Sequence, residues 1–387
     1  MCIDGGTDNG VISCDIYDVS KHINVSGGDT PTLTPAGNYA VNCNFTQIQA
    51  TDFKGGVSIE GVGNVFGNNL VHNLISHPVH LSGNDHIMEL NEVFNNGIEV
   101  GDGGNMGSGA CMWSYGNVYR HNFLHNLYCL PEAHPRGGIY PDDLDAGDTI
   151  TENIFYKCAH RAVLLNGGAG QMVSKNVFIN GYIGIYNTAA WSEGIYNDKA
   201  KYDSGELKRG DKCDHIWRTE QVVGKKGWNK PPWSTKYPLF KKIMNQEKMR
   251  FWPIECKFKD NLFCGNKYNF QFRTGWGKDD LADVHTIDYI ETTGSREIKM
   301  DVFVDSENMD FRFKKVPEAK GLPDIPFEKI GLYADEFRKT VPDKKAYRSA
   351  INERFKDRPS FDENAKYDPN TINEFIYFNT GKLLIKE

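Results

Sequence analysis

Gly116-Asn-Val-Tyr-Arg-His-Asn122-Phe-Leu-His125 is followed by Gly147-Asp-Thr-Ile-Thr-Glu-Asn153-Ile-Phe-Tyr156 and by Gly170-Gln-Met-Val-Ser-Lys-Asn176-Val-Phe-Ile179. Each stretch reads Gly, five residues, Asn, then a short apolar run. The same form starts at Gly63 (to Asn69) and, two residues longer, at Gly83 (to Asn91); Gly37 reaches Cys43 in the same slot. From Asn69 to Asn176 the successive asparagines lie 22, 31, 31 and 23 residues apart. A unit of about 22 residues therefore recurs, with loops inserted into some copies. The apolar runs are short, β-branched or aromatic, and bounded by Gly and Asn, which is the pattern of short strands. Such strands, broken by turn residues that tolerate left-handed backbone, predict a coil of three strands per turn: an all-β, right-handed parallel β-helix. Asparagines stacked in equivalent turns bond one another's backbone, which gives the Asn excess a structural cause.

Other folds fit less well. A sandwich or barrel shows two-residue hairpin turns and no constant Gly-to-Asn offset. A βαβ protein needs helical periods between its strands, and no such period of ten residues occurs before about residue 340. A solenoid also needs capped ends. Here Asn9-Gly-Val-Ile-Ser-Cys-Asp15-Ile-Tyr17 already reads as a rung, so the expectation is a fragment whose cap and secretory signal lie upstream.

Working outward, the chain has 387 residues, 39% of them hydrophobic and 12% aromatic, enough for a real core. Its net charge of −7 argues against a nucleic-acid partner, which needs clustered Lys and Arg. No apolar run is long enough to span a membrane. The charge is uneven: residues 1–190 carry 7 Lys+Arg and 18 Asp+Glu, a net of −11, while the remainder carries 37 and 33, a net of +4. The predicted organisation is a β-helix core over 1–190, a Trp-, Pro- and Lys-rich insertion over 191–255, and final coils with a C-terminal cap over 256–340. A charged tail follows over 341–387, with a helix near Lys344–Phe355. Nine cysteines without a CxxC pair read as buried free thiols rather than a zinc site or disulfide framework.

Strands stacked in register present outward side chains in rows about 4.8 Å apart, along which a glycan chain fits. Two inserts put acids at the end of a short strand beside glycines: Ile98-Glu-Val-Gly-Asp102-Gly-Gly-Asn105 and Gly137-Gly-Ile-Tyr140-Pro-Asp142-Asp143-Leu-Asp145. Hydrolysis of a glycoside needs two carboxylates flanking the bond, one as acid and one as nucleophile or base. The plainer reading makes Asp142, Asp143, Asp145 and Asp148 solvated turn acids or a calcium loop. His72 and His125 hold equivalent places after Asn69 and Asn122 and are expected to stack on one face. His125, Tyr140, Arg136, Arg161, Trp113 and Trp191 are expected to line a cleft: an Arg can hold a uronate and a Trp can stack on a sugar ring.

Gly61-Val-Gly-Asn64, Ser82-Gly-Asn-Asp-His-Ile-Met-Glu89, Gly101-Asp102-Gly-Gly104, Gly138-Ile-Tyr-Pro-Asp-Asp143 and Arg161-Ala-Val-Leu-Leu165 resemble a large group of carbohydrate-active parallel β-helix enzymes. The chain is similar to glycoside hydrolase family 141, which includes α-L-fucosidase and xylanase activities. The resemblance covers residues 5–190 well and 255–340 weakly. It implies that Asp102 and Asp143 are the catalytic pair, with Asp142 positioning or tuning one of them. Relatives usually carry an Arg-acid-Trp string where this chain has Ala110-Cys-Met-Trp113. The expectation is a monomeric glycosidase acting on a carbohydrate outside the cytoplasm or in a periplasm, without a cofactor. The alternatives are a polysaccharide lyase on the same fold, with a His, Lys or Tyr base, and a non-catalytic glycan-binding solenoid.

Overall fold

The computed structural model of the chain describes residues 1–20, 23–48, 55–74, 77–96, 103–109, 112–128, 136–158, 160–188, 214–245, 253–273, 290–315 and 321–362. These residues form a right-handed parallel β-helix of three sheets, each of 9 strands. Sheet A runs from Cys2–Asp4 to Tyr268–Arg273, sheet B from Gly10–Ile12 to Ile290–Thr293, and sheet C from Asp15–Val19 to Arg296–Glu297. The chain visits A, B and C in turn, so each strand pairs in parallel with its counterpart one coil away, as Gly107 does with Tyr140 and Leu124 with Phe155.

The turns explain the repeat. Between sheets A and B, an equivalent residue in each coil takes left-handed backbone: Gly63 (φ 67), Asp85 (φ 56), Gly116 (φ 82), Gly147 (φ 68), Gly170 (φ 72) and Glu255 (φ 56). Six residues on lie Asn69, Asn91, Asn122, Asn153, Asn176 and Asn261. The irregular copy at Gly83 is thereby corrected: the turn slot in that coil belongs to Asp85, and the offset is constant throughout. Asp and Asn visit this region at modest cost, so glycine is not obligatory there. Between sheets B and C the residue before each Asn is left-handed as well, from Asn68 (φ 53) and Leu90 (φ 57) to Asp260 (φ 53).

Two amide ladders then run the length of the coil. At the B–C turn the Asn91 N–H donates to Asn122 Oδ1 (3.0 Å), that of Asn122 to Asn153 (2.9 Å), and that of Asn153 to Asn176 (3.0 Å). The second ladder, at the A–B turn, follows the left-handed slot directly. It reads Asn38, Asn64, His86, Asn117, Asp148, Gln171, each backbone N–H donating to the next side chain. Buried backbone donors must find partners, and these side chains supply them.

Inside, each sheet contributes an apolar row. Sheet B supplies Val11, Ala40, Phe66, Met88, Tyr119, Ile150, Val173 and Phe258, and sheet C stacks Phe155 on Phe178 (4.9 Å) and Phe178 on Phe263 (5.2 Å). Outside, sheet C is closed. The C-terminal segment lays Phe303, Phe311, Phe327 and the Lys344–Arg354 helix over it. The A–B turn is covered too: Trp228, Trp233, Tyr237 and Phe240, from the helical insertion over 214–245, pack on Leu33, Met112, Tyr115 and Leu144. From the last coils a C-terminal arm runs back along the B–C turns. Gly331 N–H donates to the Leu90 carbonyl (2.7 Å), Asn68 reaches Lys329, Asn42 brackets Tyr333, and Arg338 pairs with Asp15 (2.8 Å). No helix is long and apolar enough to cross a membrane among the described residues. The described cysteines are free thiols; Cys43, Cys158, Cys256 and Cys264 are buried as expected, whereas Cys2 and Cys14 are exposed.

Candidate functional site

The outward face of sheet A carries a cavity of about 280 Å³. Its walls come from three successive strands: His77, Val79 and His80 on one side, Gly103, Gly104, Gly107, Ser108 and Gly109 across the floor, and Tyr140, Asp142 and Asp143 on the other. Register sets this up, since His80 lies opposite Gly107 and Gly107 opposite Tyr140. The floor glycines are needed for close approach. A Cβ on Gly103 would sit 1.7 Å from the His77 ring, and one on Gly107 2.4 Å from the Tyr140 carbonyl oxygen.

The acids are aimed by the backbone. Asp143 (φ 47) and Leu144 (φ 72) are consecutive left-handed residues; for a branched side chain this is a costly conformation, and such outliers gather at functional sites. Asp142 Oδ1 accepts from the Asp143 N–H (2.7 Å) and from Asn166 Nδ2 (2.7 Å), which fixes its carboxylate. Asp145 and Asp148 turn inward and are fully buried; Asp145 Oδ2 and Ser108 Oγ, on the cavity wall, are hydrogen-bonded.

On the histidine side, burial first and then the charges of Arg136 and His80 hold the His77 imidazole down at about 4, so it is neutral near pH 7. Arg136 is paired in register with Gly103 of the cavity floor and is 1% exposed. Arg161 is also buried, its guanidinium 3.8 Å from the centroid of the Tyr186 ring.

Of the residues singled out from sequence, Tyr140, Asp142 and Asp143 share this cavity. Asp102 and Trp191 lie outside the described residues. Trp113 is half-buried against the helical insertion, and its carbonyl accepts from Asn84 (2.9 Å). His125 belongs to sheet C, under the C-terminal segment. It bonds Glu92 (3.2 Å), and Phe94 is stacked between its ring and that of His72. Glu92 in turn holds Arg348 (2.8 and 2.7 Å) and the Tyr347 hydroxyl (2.6 Å), all of them buried. His77, His80 and Ser108 were not singled out. Their signal was available only through strand register, which places residues 27 apart side by side. No group of three or more His, Cys, Asp or Glu able to hold a metal occurs among the described residues.

No family model and no curated protein matches the chain. Among solved structures it is similar to the periplasmic alginate epimerase AlgG, at 11% identity and a TM-score of 0.33, over 76% of this chain and 61% of that one. A mutant of the same epimerase matches at 10% identity and a TM-score of 0.30, over 73% of this chain and 58% of that one. The chain thus spans about three fifths of the length of the structures it matches.

Proposed function

We propose that the chain is a carbohydrate-active enzyme, a glycoside hydrolase acting on a neutral polysaccharide at the sheet A cavity. The observation that carries this reading is the make-up of the cavity wall: two carboxylates, two histidines, a tyrosine and a serine, with no Lys or Arg among its described residues. A carboxylate-bearing sugar would meet repulsion from Asp142 and Asp143 at the wall, while the buried Arg136 acts on His77 without lining the cavity. Away from the cavity the outward rows stay polar, through His80, Ser58 and Asn24 in one and Ser82, Glu60 and Ser26 in the next. From Tyr140 to Asn24 this is five strands, or ~19 Å of polar surface for a linear glycan.

Asp143 is one of the pair of acids. The other is Asp102, which directly precedes Gly103 of the cavity floor. Separations of about 5 Å and of roughly 6.5–9.5 Å correspond to retention and inversion at the anomeric carbon. Asp142, locked by Asn166, orients the substrate, and Tyr140 gives it a stacking edge. The test is release of reducing sugar from xylan and from fucosylated oligosaccharides. Asp102→Asn and Asp143→Asn should each lower turnover by about 10²–10⁴-fold; full turnover in both removes the assignment.

Tyr140 and His80 in the same cavity favour a second reading, β-elimination by a polysaccharide lyase, for which either is a suitable base. It requires a positive charge to neutralise the uronate. An unsaturated, ultraviolet-absorbing product from a polyuronate would select it, and glycan binding without any product would select the non-catalytic reading. In each case the chain would meet its substrate in an extracellular or periplasmic setting.

A further inference from the structure

Behind the cavity wall lies a group of polar atoms that the hydrolytic reading leaves unused. Ser108 lines the cavity, and its Oγ is hydrogen-bonded to Asp145 Oδ2. Asp145 Oδ1, Asp148 Oδ2 and the Tyr119 hydroxyl are buried and have no hydrogen-bond partner among the described residues. Tyr119 sits in the apolar inner row of sheet B, and both carboxyls act on its hydroxyl. Asp145 is faced by Asp148, by the Ser108 and Ser114 hydroxyls and by the Ala146 N–H, and no cation is among these groups.

The A–B ladder shows what form these acids take. Asp148 fills a slot that other coils give to an amide. Its Oδ1 accepts from the Asn117 N–H as an amide oxygen would. In the neighbouring coils Asn117 and Gln171 use their NH₂ to donate to a backbone carbonyl, of Gly83 and of Asp145 respectively. An ionised carboxylate offers no such donor, and two carboxyls buried together without a cation cannot both be charged. Burial pushes both acids in this direction, with Asp148 adding to it at Asp145.

We infer that Asp145 is held as the neutral acid and serves as a positioning residue, its proton deciding whether Ser108 offers the cavity a hydrogen-bond donor or an acceptor. With the proton on Asp145 Oδ2, that O–H donates to Ser108 Oγ, and the serine's own hydrogen turns into the cavity toward a sugar oxygen. When the proton leaves, Ser108 must donate to the carboxylate, and the cavity loses its donor. No bond other than O–H is made or broken, and the proton goes to solvent. The function of this switch rests on the cavity being the glycan site; the protonation claim does not.

Neutron diffraction of the deuterated protein near neutral pH separates the two. The expected density is deuterium on Asp145 Oδ2, with the Ser108 deuterium pointing into the cavity. A bare Asp145 carboxylate with the Ser108 deuterium aimed at it overturns the inference, whatever the enzyme does. The second arm follows binding of xylo-oligosaccharides against pH. Wild type should lose at least about tenfold in affinity on the alkaline side, where one donor hydrogen bond of about 1.4 kcal/mol is forfeited. Asp145→Asn, whose NH₂ donates permanently to Ser108, should keep the neutral-pH affinity and abolish the alkaline loss. An alkaline loss that persists unchanged in Asp145→Asn also overturns the inference. Should no glycan bind at any pH, the hydrolase reading fails, and the neutron result alone decides the proton.

Discussion

At the residue scale, a carboxyl stands where the ladder takes an amide, and the substitution has a sign that stability measurements can read. Asp148 is raised by burial to about 8, above its ordinary 3.8. The folded state therefore keeps a proton that the unfolded chain has released. Its stabilising contribution is complete below the unfolded pKa and is lost as pH rises toward 8, with a slope of about 1.4 kcal/mol per pH unit for one proton. Asp148→Asn restores the amide, so between about pH 4 and 8 it should remove one proton's share of the slope, leaving that of Asp145, and raise stability at the upper end. Denaturant midpoints across that range check both. At this scale the sequence was partly legible. Tyr140, Asp142 and Asp143 end a strand next to an insert, and that position marked them. Nothing in the local text distinguishes Asp148 from a solvated turn acid, since its burial comes from Asn117 and Gln171 one coil to either side.

At the scale of the element, a rung without inserts has two-residue turns between sheets A and B and between B and C, each a left-handed residue followed by one whose side chain accepts from the previous coil. The B–C ladder was readable because Asn recurs in every coil from Asn69 to Asn261. The A–B ladder was hidden because its slot accepts Asn, His, Asp and Gln alike. What matters there is an oxygen or ring nitrogen that accepts from the previous coil, and several residue types provide one. Asn122 accepts from both the N–H and the Nδ2 of Asn91, and donates to Met88 and Asn153. Asn122→Ala leaves a buried N–H unpaired and should cost about 3 kcal/mol, seen as a lowered unfolding midpoint at an unchanged denaturant slope. Tyr17→Ala, at a side chain 61% exposed on the first coil, should change stability by less than about 0.5 kcal/mol.

For the whole molecule, the sequence predicted one solenoid with an insertion and a partly helical C-terminal tail, and gave no indication of where the tail lies. Its placement depends on Glu92, which sits in a strand and looks like an ordinary solvated acid. It meets Arg348 256 residues later, with His125 and Tyr347 completing a buried cluster. Charge pairing across that separation leaves no periodic trace. Arg348→Met would strand the Glu92 carboxylate, which the Arg348 guanidinium holds well below the usual range. The cost should be about 3–5 kcal/mol, largely recovered by Glu92→Leu in the same chain, because a buried ion pair and an apolar pair of similar volume are often near parity. Limited proteolysis at the C-terminal segment and unfolding midpoints measure the loss and the recovery.

The arm that returns along the B–C turns also bears on the order of assembly. A solenoid grows coil on coil and can fold as it emerges during synthesis, with each coil needing only its predecessor. Here Ser13 and Asn42, in the first coils, are bonded by Asp335, 322 and 293 residues further on. These coils are therefore made well before the arm that finishes them, and they wait with their turn groups open until it arrives. Contacts of such separation are slow to form, so refolding should end in a late phase confined to the earliest residues.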